Sequence, residues 1–264
     1  MAESTRHADD PTVLIQLSDP HLCVREGDAE RRLARAVAAA SELQPGPCAV
    51  LLTGDIADEP AVEVYERAHR MVAELGVPVH AIPGNHDDRD LLARTFAGRE
   101  HPTGAPVHVL AYVEDLRLVG CDTTVPGSPG GALDAEQLQW LDRALSDEPA
   151  RPTLLALHHP PVAAGILAMD EMGIVPADAE RLEALLEAHP QVHAVTCGHV
   201  HRTAVARFAG RPLLLCPSTN STLRLDLRAQ PGLPLRFDVQ PLGFAVHVLV
   251  AGRLVSHVQA LEAG

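Results

Sequence analysis

The chain has 264 residues, 46% of them hydrophobic and 21% charged, which is enough apolar material for a single large α/β domain spanning residues 1–264. Its 21 Lys and Arg face 35 Asp and Glu, a formal net charge of -14 that argues against long DNA or RNA as a partner but not against a small phosphorylated molecule. Aromatic residues make up only 3%, so platforms for stacking bases are scarce and the core has to be built from Val, Leu, Ile and Ala.

The opening MAESTRHADD is polar and acidic, with no basic n-region followed by an apolar h-region, and no stretch approaches the roughly 18 apolar residues of a membrane span. Five cysteines without a CxxC indicate neither a disulfide framework nor a zinc ribbon. Cys48, Cys121, Cys197 and Cys216 lie in or beside apolar runs, where a thiol packs as a small hydrophobe. A cytoplasmic protein without membrane attachment is expected.

In chain order, TVLIQL reads as a strand closing at Ser18-Asp19-Pro20-His21. A helix follows, DAERRLARAVAAASEL, with Asp28 as N-cap, Leu33, Val37 and Ala40 on one face and Pro45-Gly46-Pro47 as the stop. The unit repeats as strand Ala49 to Leu52, the Gly54-Asp55 loop and a helix from about Ala61 to Leu75. It repeats again as strand Val79 to Ile82, the Asn85 loop and a shorter helix near Arg89 to Phe96. Val107 to Val113 and Leu116 to Cys121 predict a hairpin around Glu114-Asp115. Asp134 and Gln137 resemble a capping pair opening a helix striped by Leu138, Leu141 and Leu145, with Trp140 packing at its edge. Strand Thr153 to Leu157, a loop or lid from Val162 to Val175, helix Ala177 to Ala188 and strand Val192 to Thr196 come next. Short strands near Ala204 to Phe208, Leu213 to Cys216, Ala245 to Val250 and Leu254 to Val258 predict an antiparallel finish. Ser218 to Gly243 reads as a long loop able to reach a site or a partner subunit.

Five of these apolar runs stop at loops bearing metal-ligand side chains, and strand ends are where α/β sheets build their sites. Asp19 and His21 are two apart, so in an extended segment both side chains point the same way. Asp55 is either a turn residue or a carboxylate able to bridge two cations. Asn85 offers an amide oxygen, followed at once by an imidazole, His86, that can face substrate. His199 and His201 share one loop, and His158-His159 ends another strand. Any one of these admits a bland reading; the ordered set of five strand ends points to a metal centre.

In that order the motifs resemble those of the calcineurin-like metallophosphoesterase superfamily, over about Val13 to His201: DxH, GD, GNH followed by an acid, H, and GHxH. His158-His159-Pro160-Pro161 and the Pro83 to Asp88 stretch look most like bacterial class III cyclic nucleotide phosphodiesterases and glycerophosphodiesterases. The resemblance implies a four-layer α/β/β/α sandwich of two mixed sheets flanked by helices, where the strand-helix rhythm alone suggests one open sheet. By position it implies that Asp19, His21 and His201 hold a first metal ion, that Asn85, His158 and His199 hold a second, and that Asp55 bridges them. His86 becomes the catalytic histidine that binds no metal. His158 is preferred to His159 because the family's ligand lies two residues before the proline. Asp87 either orients a neighbour or is a turn residue. The other nine histidines, at positions 7, 69, 80, 101, 108, 189, 193, 247 and 257, are expected at the surface or in packing.

The implied chemistry is hydrolysis of small phosphodiesters, 3',5'-cyclic nucleotides or glycerophosphodiesters, by in-line attack of a hydroxide held between two divalent or mixed-valence ions. The donors suit Mn, Fe, Co or Zn. A phosphomonoesterase or phosphoprotein phosphatase would use the same centre with different pocket walls, and a scaffold without chemistry would be expected to have lost ligands. A dimer or larger homo-oligomer is the expected assembly.

Overall fold

The computed structural model describes residues 10–97, 101–228 and 230–262, and His7 lies outside them. The first half alternates β1 (Thr12–Leu17), α1 (Asp28–Ser41), β2 (Ala49–Thr53), α2 (Val62–Ala73), β3 (Val79–Ile82) and α3 (Arg89–Phe96). A hairpin of β4 (Val109–Val113) and β5 (Leu116–Gly120) leads into α4 (Ala135–Ser146), β6 (Thr153–Leu157), the single turn α5 (Leu167–Asp170), α6 (Pro176–Glu187) and β7 (Val192–Cys197). Strands β8 (Ala204–Phe208), β9 (Arg211–Leu215), β10 (Thr222–Leu223), β11 (Phe237–Asp238), β12 (Leu242–Val250) and β13 (Arg253–Leu261) complete it.

Two large mixed sheets result, with orders β13-β12-β1-β2-β3 and β4-β5-β6-β7-β9-β8. Residue parity assigns the layers. Val13, Ile15 and Leu17 of β1 pack with Leu33 and Val37 of α1 and with α2 and α3, while Leu14 faces the other way, into a core shared with Leu118, Leu154 and Ala194 of the second sheet. Leu155 and Leu157 of β6 and Val195 of β7 turn outward onto Leu141 of α4 and Leu182 of α6. Helices therefore cover both outer faces, giving the four-layer sandwich rather than one open sheet. No helix among the described residues is long and apolar enough to cross a membrane.

Local expectations fared unevenly. Asp134 and Gln137 form the reciprocal cap of α4. At α1, Gly27 takes the cap position and Glu30 reaches back to its N–H, so Asp28 is the first helical residue, where its charge still suits the helix N-terminus. The antiparallel finish divides between the sheets: β8 pairs antiparallel with β9, β9 runs parallel to β7, and β12 crosses back to β1 in the register Thr12↔Leu249. Periodicity marks a strand but carries no information about its distant partner. Within 218–243 stands the small β10–β11 ladder, whose two-residue strands are too short to show a period.

One polar seam crosses the apolar layer between the sheets. Gln16 follows the parity of Leu14; its Nε2 donates to Thr53 Oγ1 (2.9 Å), and its Oε1 accepts from the Thr196 hydroxyl (2.6 Å) and from His247 Nε2 (2.9 Å). His247 Nδ1 accepts from Ser256 (2.7 Å), and burial pushes the ring's pKa down to about 4. Because the folded value lies below the unfolded value of 6.5, the unfolded chain binds more protons across that window. This stability is present above pH 6.5 and is lost as pH falls towards 4. His247→Gln, which does not titrate, is expected to lose about 2 kcal/mol less than the wild type between pH 7 and pH 5 in urea unfolding. Equal losses would show that this ring is not held neutral.

Candidate metal centre

The ligand candidates occupy the loops at the C-terminal ends of β1, β2, β3, β6 and β7, which run parallel within their sheets. Backbone bonds knit the loops together: Asp19 N–H donates to Gly54 O (3.1 Å), His21 N–H to Asp55 O (2.9 Å), and Gly198 N–H to His158 O (3.1 Å). Glycine is required where the loops touch. A Cβ on Gly54 would stand 2.5 Å from Gly84 N and from His158 Nδ1, and Gly54 also has φ 86.

Donor atoms of Asp19, His21, Asp55 and His201 lie within 4.8 Å of one another. His201 Nε2 is 3.1 Å from His21 Nε2 and 3.6 Å from Asp19 Oδ1. On the other side, His158 Nε2 is 3.2 Å from Asn85 Oδ1, and the His158 and His199 rings are 5.1 Å apart. Asp55 lies between the two groups: its Oδ2 is 3.6 Å from His21 Nε2 and 3.5 Å from His158 Nε2, while its Oδ1 accepts from the His86 backbone N–H.

Two features mark the cluster as built for a cation. His199 Nε2 is buried without a hydrogen-bond partner, which is costly for a polar atom unless something coordinates it. Asp19, His21, Asp55, His199 and His201 all have positive φ, between 48 and 69. Non-glycine residues in that region store strain, commonly at functional sites. The paired candidate ligands of D-x-H and H-x-H thus converge through left-handed backbone, and the extended segment expected for Asp19 and His21 ends at Leu17.

Electrostatics agree. His199 and His201 are pushed down to about 3 by burial and by neighbouring imidazoles, which leaves them in the neutral, metal-binding form. Burial also lowers His158, but the Asp55 and Asp19 carboxylates outweigh it and hold the ring up at about 9. Burial raises Asp55, yet His158 and His21 bring it well below the usual carboxylate range. Burial raises Asp19 to about 6, with Asp55 adding to it, and the opposing pull of His158, His21 and the Ser18 hydroxyl does not cancel the rise. Two enclosed carboxylates among imidazoles form a site that positive charge stabilises.

Surrounding residues fix these candidate ligands. His158 Nδ1 is 2.7 Å from Thr53 O, which directs Nε2 into the centre. His159 instead has both ring nitrogens engaged, Nδ1 with Thr123 Oγ1 (2.8 Å) and Nε2 with Pro129 O (3.2 Å). Asp87 turns away from His86 and accepts from the N–H groups of Ile56, Ala57 and Gly84 and from the Tyr65 hydroxyl, clamping the Asp55 and Asn85 loops together. Asp87→Ala leaves three backbone donors without that acceptor and is expected to cost about 1–3 kcal/mol in urea unfolding; an unchanged midpoint would reduce Asp87 to a turn residue.

Sequence reasoning missed Asp58 and Ser18. Asp58 Oδ1 lies 3.1 Å from His21 Nδ1 and 3.0 Å from His86 Nδ1, so one carboxylate orients both rings. The only signal was its place three residues after Asp55, where an acid looks like part of the turn. Ser18 donates to Asp19 Oδ2 (2.5 Å) and accepts from Thr53 Oγ1 (2.8 Å), joining the ligand to the Gln16 seam.

The sandwich and its donor cluster define a metallohydrolase of the α/β/β/α class. The chain belongs to the calcineurin-like phosphoesterase family, whose sequence model matches residues 12–203. It is 32% identical over 258 residues to a probable glycerophosphodiester phosphodiesterase, GpdQ, from Arcobacter nitrofigilis, covering 91% of this chain and 94% of that one. It is 35% identical over 225 residues to a probable cyclic nucleotide phosphodiesterase from Synechococcus sp., covering 84% of each. A dimetal phosphatase from Danio rerio shares the fold, with a TM-score of 0.60 and 15% identity over 96% of this chain and 100% of that one.

Proposed function

We propose that this protein is a metal-dependent phosphodiesterase that uses two ions to hydrolyse small phosphodiesters, cyclic nucleotides or glycerophosphodiesters. Asp19, His21 and His201 would hold one ion, Asn85, His158 and His199 the other, and Asp55 both. The carrying observation is the position of Asp55 Oδ2, within 3.6 Å of a nitrogen from each group. The donors suit Mn, Fe, Co or Zn. Bound ions would supply Lewis acidity towards the phosphoryl oxygens and make a water acidic enough to attack at neutral pH.

The chain's own residues supply the rest. His86 lines the cavity with its side chain 42% exposed. Its Nδ1 is on Asp58, so Nε2 is the nitrogen left for a substrate oxygen, suited to protonating the leaving group. Beyond the proposed ligands, the lining carries Arg25, Asp28 paired to Arg31 and Arg32, Asp58 on the His21 and His86 rings, and Glu30 paired to Arg67.

Protein stripped by chelation and reloaded separately with Mn, Fe, Co or Zn is expected to cleave bis-p-nitrophenyl phosphate in preference to p-nitrophenyl phosphate. A preference for the monoester would make it a phosphatase, and silence with every metal would leave a scaffold. We infer further a reducing, cytoplasmic setting, supported by five cysteines none of which forms a disulfide among the described residues, and a homo-oligomer, which sedimentation would test. The net charge continues to argue against long nucleic acids as substrates.

A further inference from the structure

The cavity beside the ligands has a volume of about 550 Å³, and part of its lining is apolar: Met169 and Met172 from the α5 turn and its end, and Leu235 and Phe237 from the β10–β11 segment. Phe237 is 48% exposed, and its ring meets that of His201 edge-on, with centroids 5.3 Å apart. The chain has four phenylalanines; Phe208 and Phe244 are buried, and Phe96 packs against the first core. In a chain so poor in aromatics, one of the four is held open to solvent next to a ligand histidine.

Its position is fixed by the ladder it stands on. Phe237 pairs with Leu223, which is buried in the second core, and the next residue, Asp238, accepts a two-pronged contact from Arg224. Two polar groups on this lining are already committed: Ser221 Oγ is 3.0 Å from His201 Nδ1, and Asn220 Oδ1 accepts from Arg32 (2.7 Å). Beside them a flat ring would find an aromatic edge or face and two polarisable thioethers.

We propose that Phe237 is a specificity-determining residue that receives a flat aromatic or heteroaromatic ring carried by the phosphodiester, as in a nucleobase, with Met169 and Met172 completing the apolar surface. This rests on the phosphodiesterase reading above and selects, within it, substrates whose ester group carries such a ring.

The test compares kcat/KM for a purine 3',5'-cyclic nucleotide with that for glycerophosphoethanolamine, in the metal-loaded wild type, Phe237→Ala and Phe237→Tyr. Taking the ratio of the two substrates cancels any change in the metal centre itself. The ratio is expected to fall about tenfold in Phe237→Ala, through KM for the nucleotide, and to be kept in Phe237→Tyr, which retains the ring. A ratio unchanged in Phe237→Ala, or lost equally in Phe237→Tyr, overturns the role of the ring while leaving the phosphodiesterase standing. A wild type inactive on both diesters with every metal overturns both.

Discussion

Asp55→Asn is expected to deplete both metal positions at once, with turnover falling by roughly a hundredfold or more. The asparagine keeps the shape and can still accept from the His86 N–H, as Asp55 Oδ1 does. What it loses is the charge on Oδ2, an atom within 3.6 Å of both His21 Nε2 and His158 Nε2. It also leaves His158, which is fully buried and held near 9 chiefly by Asp55, without its main anion. Metal analysis should therefore show fewer than one ion per chain. A chelator that lowers the wild-type Tm should do little to the variant. Two ions and full turnover in Asp55→Asn would return Asp55 to a turn residue.

The candidate ligands could be proposed from the sequence because each sits at the end of an apolar run, and that signal is local. TVLIQL before Asp19 and VHAVT before His199 announce strand ends without knowledge of the sheet to which they belong. The division into two sheets was not local. β12 returns to β1 across more than two hundred residues, and nothing in LGFAVHVLV names TVLIQL as its neighbour. The left-handed backbone at five ligand candidates was hidden for a related reason, since Asp and His, though enriched among non-glycine residues of positive φ, adopt it far less often than glycine does. Asp58 and Asp87 look alike in the sequence, each an acid in a turn beside a candidate ligand. One orients imidazoles and the other holds backbone N–H groups, a distinction that exists only once two loops are brought together. Phe237 was equally silent: low aromatic content argued against ring stacking, but composition counts residues and does not say where the few are placed.

His86→Ala is expected to separate metal binding from turnover. The His86 ring stands apart from the two proposed ligand sets, in a cluster with His21 and Asp58 whose donor atoms lie within 4.8 Å of one another, and its backbone N–H, rather than its imidazole, is what Asp55 holds. An alanine preserves that bond, so two ions should remain while kcat falls by about 10²–10⁴-fold, the usual worth of a positioned acid or base. The leaving group then tells whether the ring donates a proton. p-Nitrophenolate departs without help, whereas the alkoxide of a glycerophosphodiester or a ribose needs protonation as the bond to phosphorus breaks. The loss should accordingly be much smaller on bis-p-nitrophenyl phosphate than on an alkyl diester. Asp58→Asn, which removes the carboxylate at His86 Nδ1, should show the same asymmetry in weaker form. Equal losses on both substrates would mean that His86 stabilises charge on the phosphoryl group instead, and an ion missing from His86→Ala would make the residue part of the metal site.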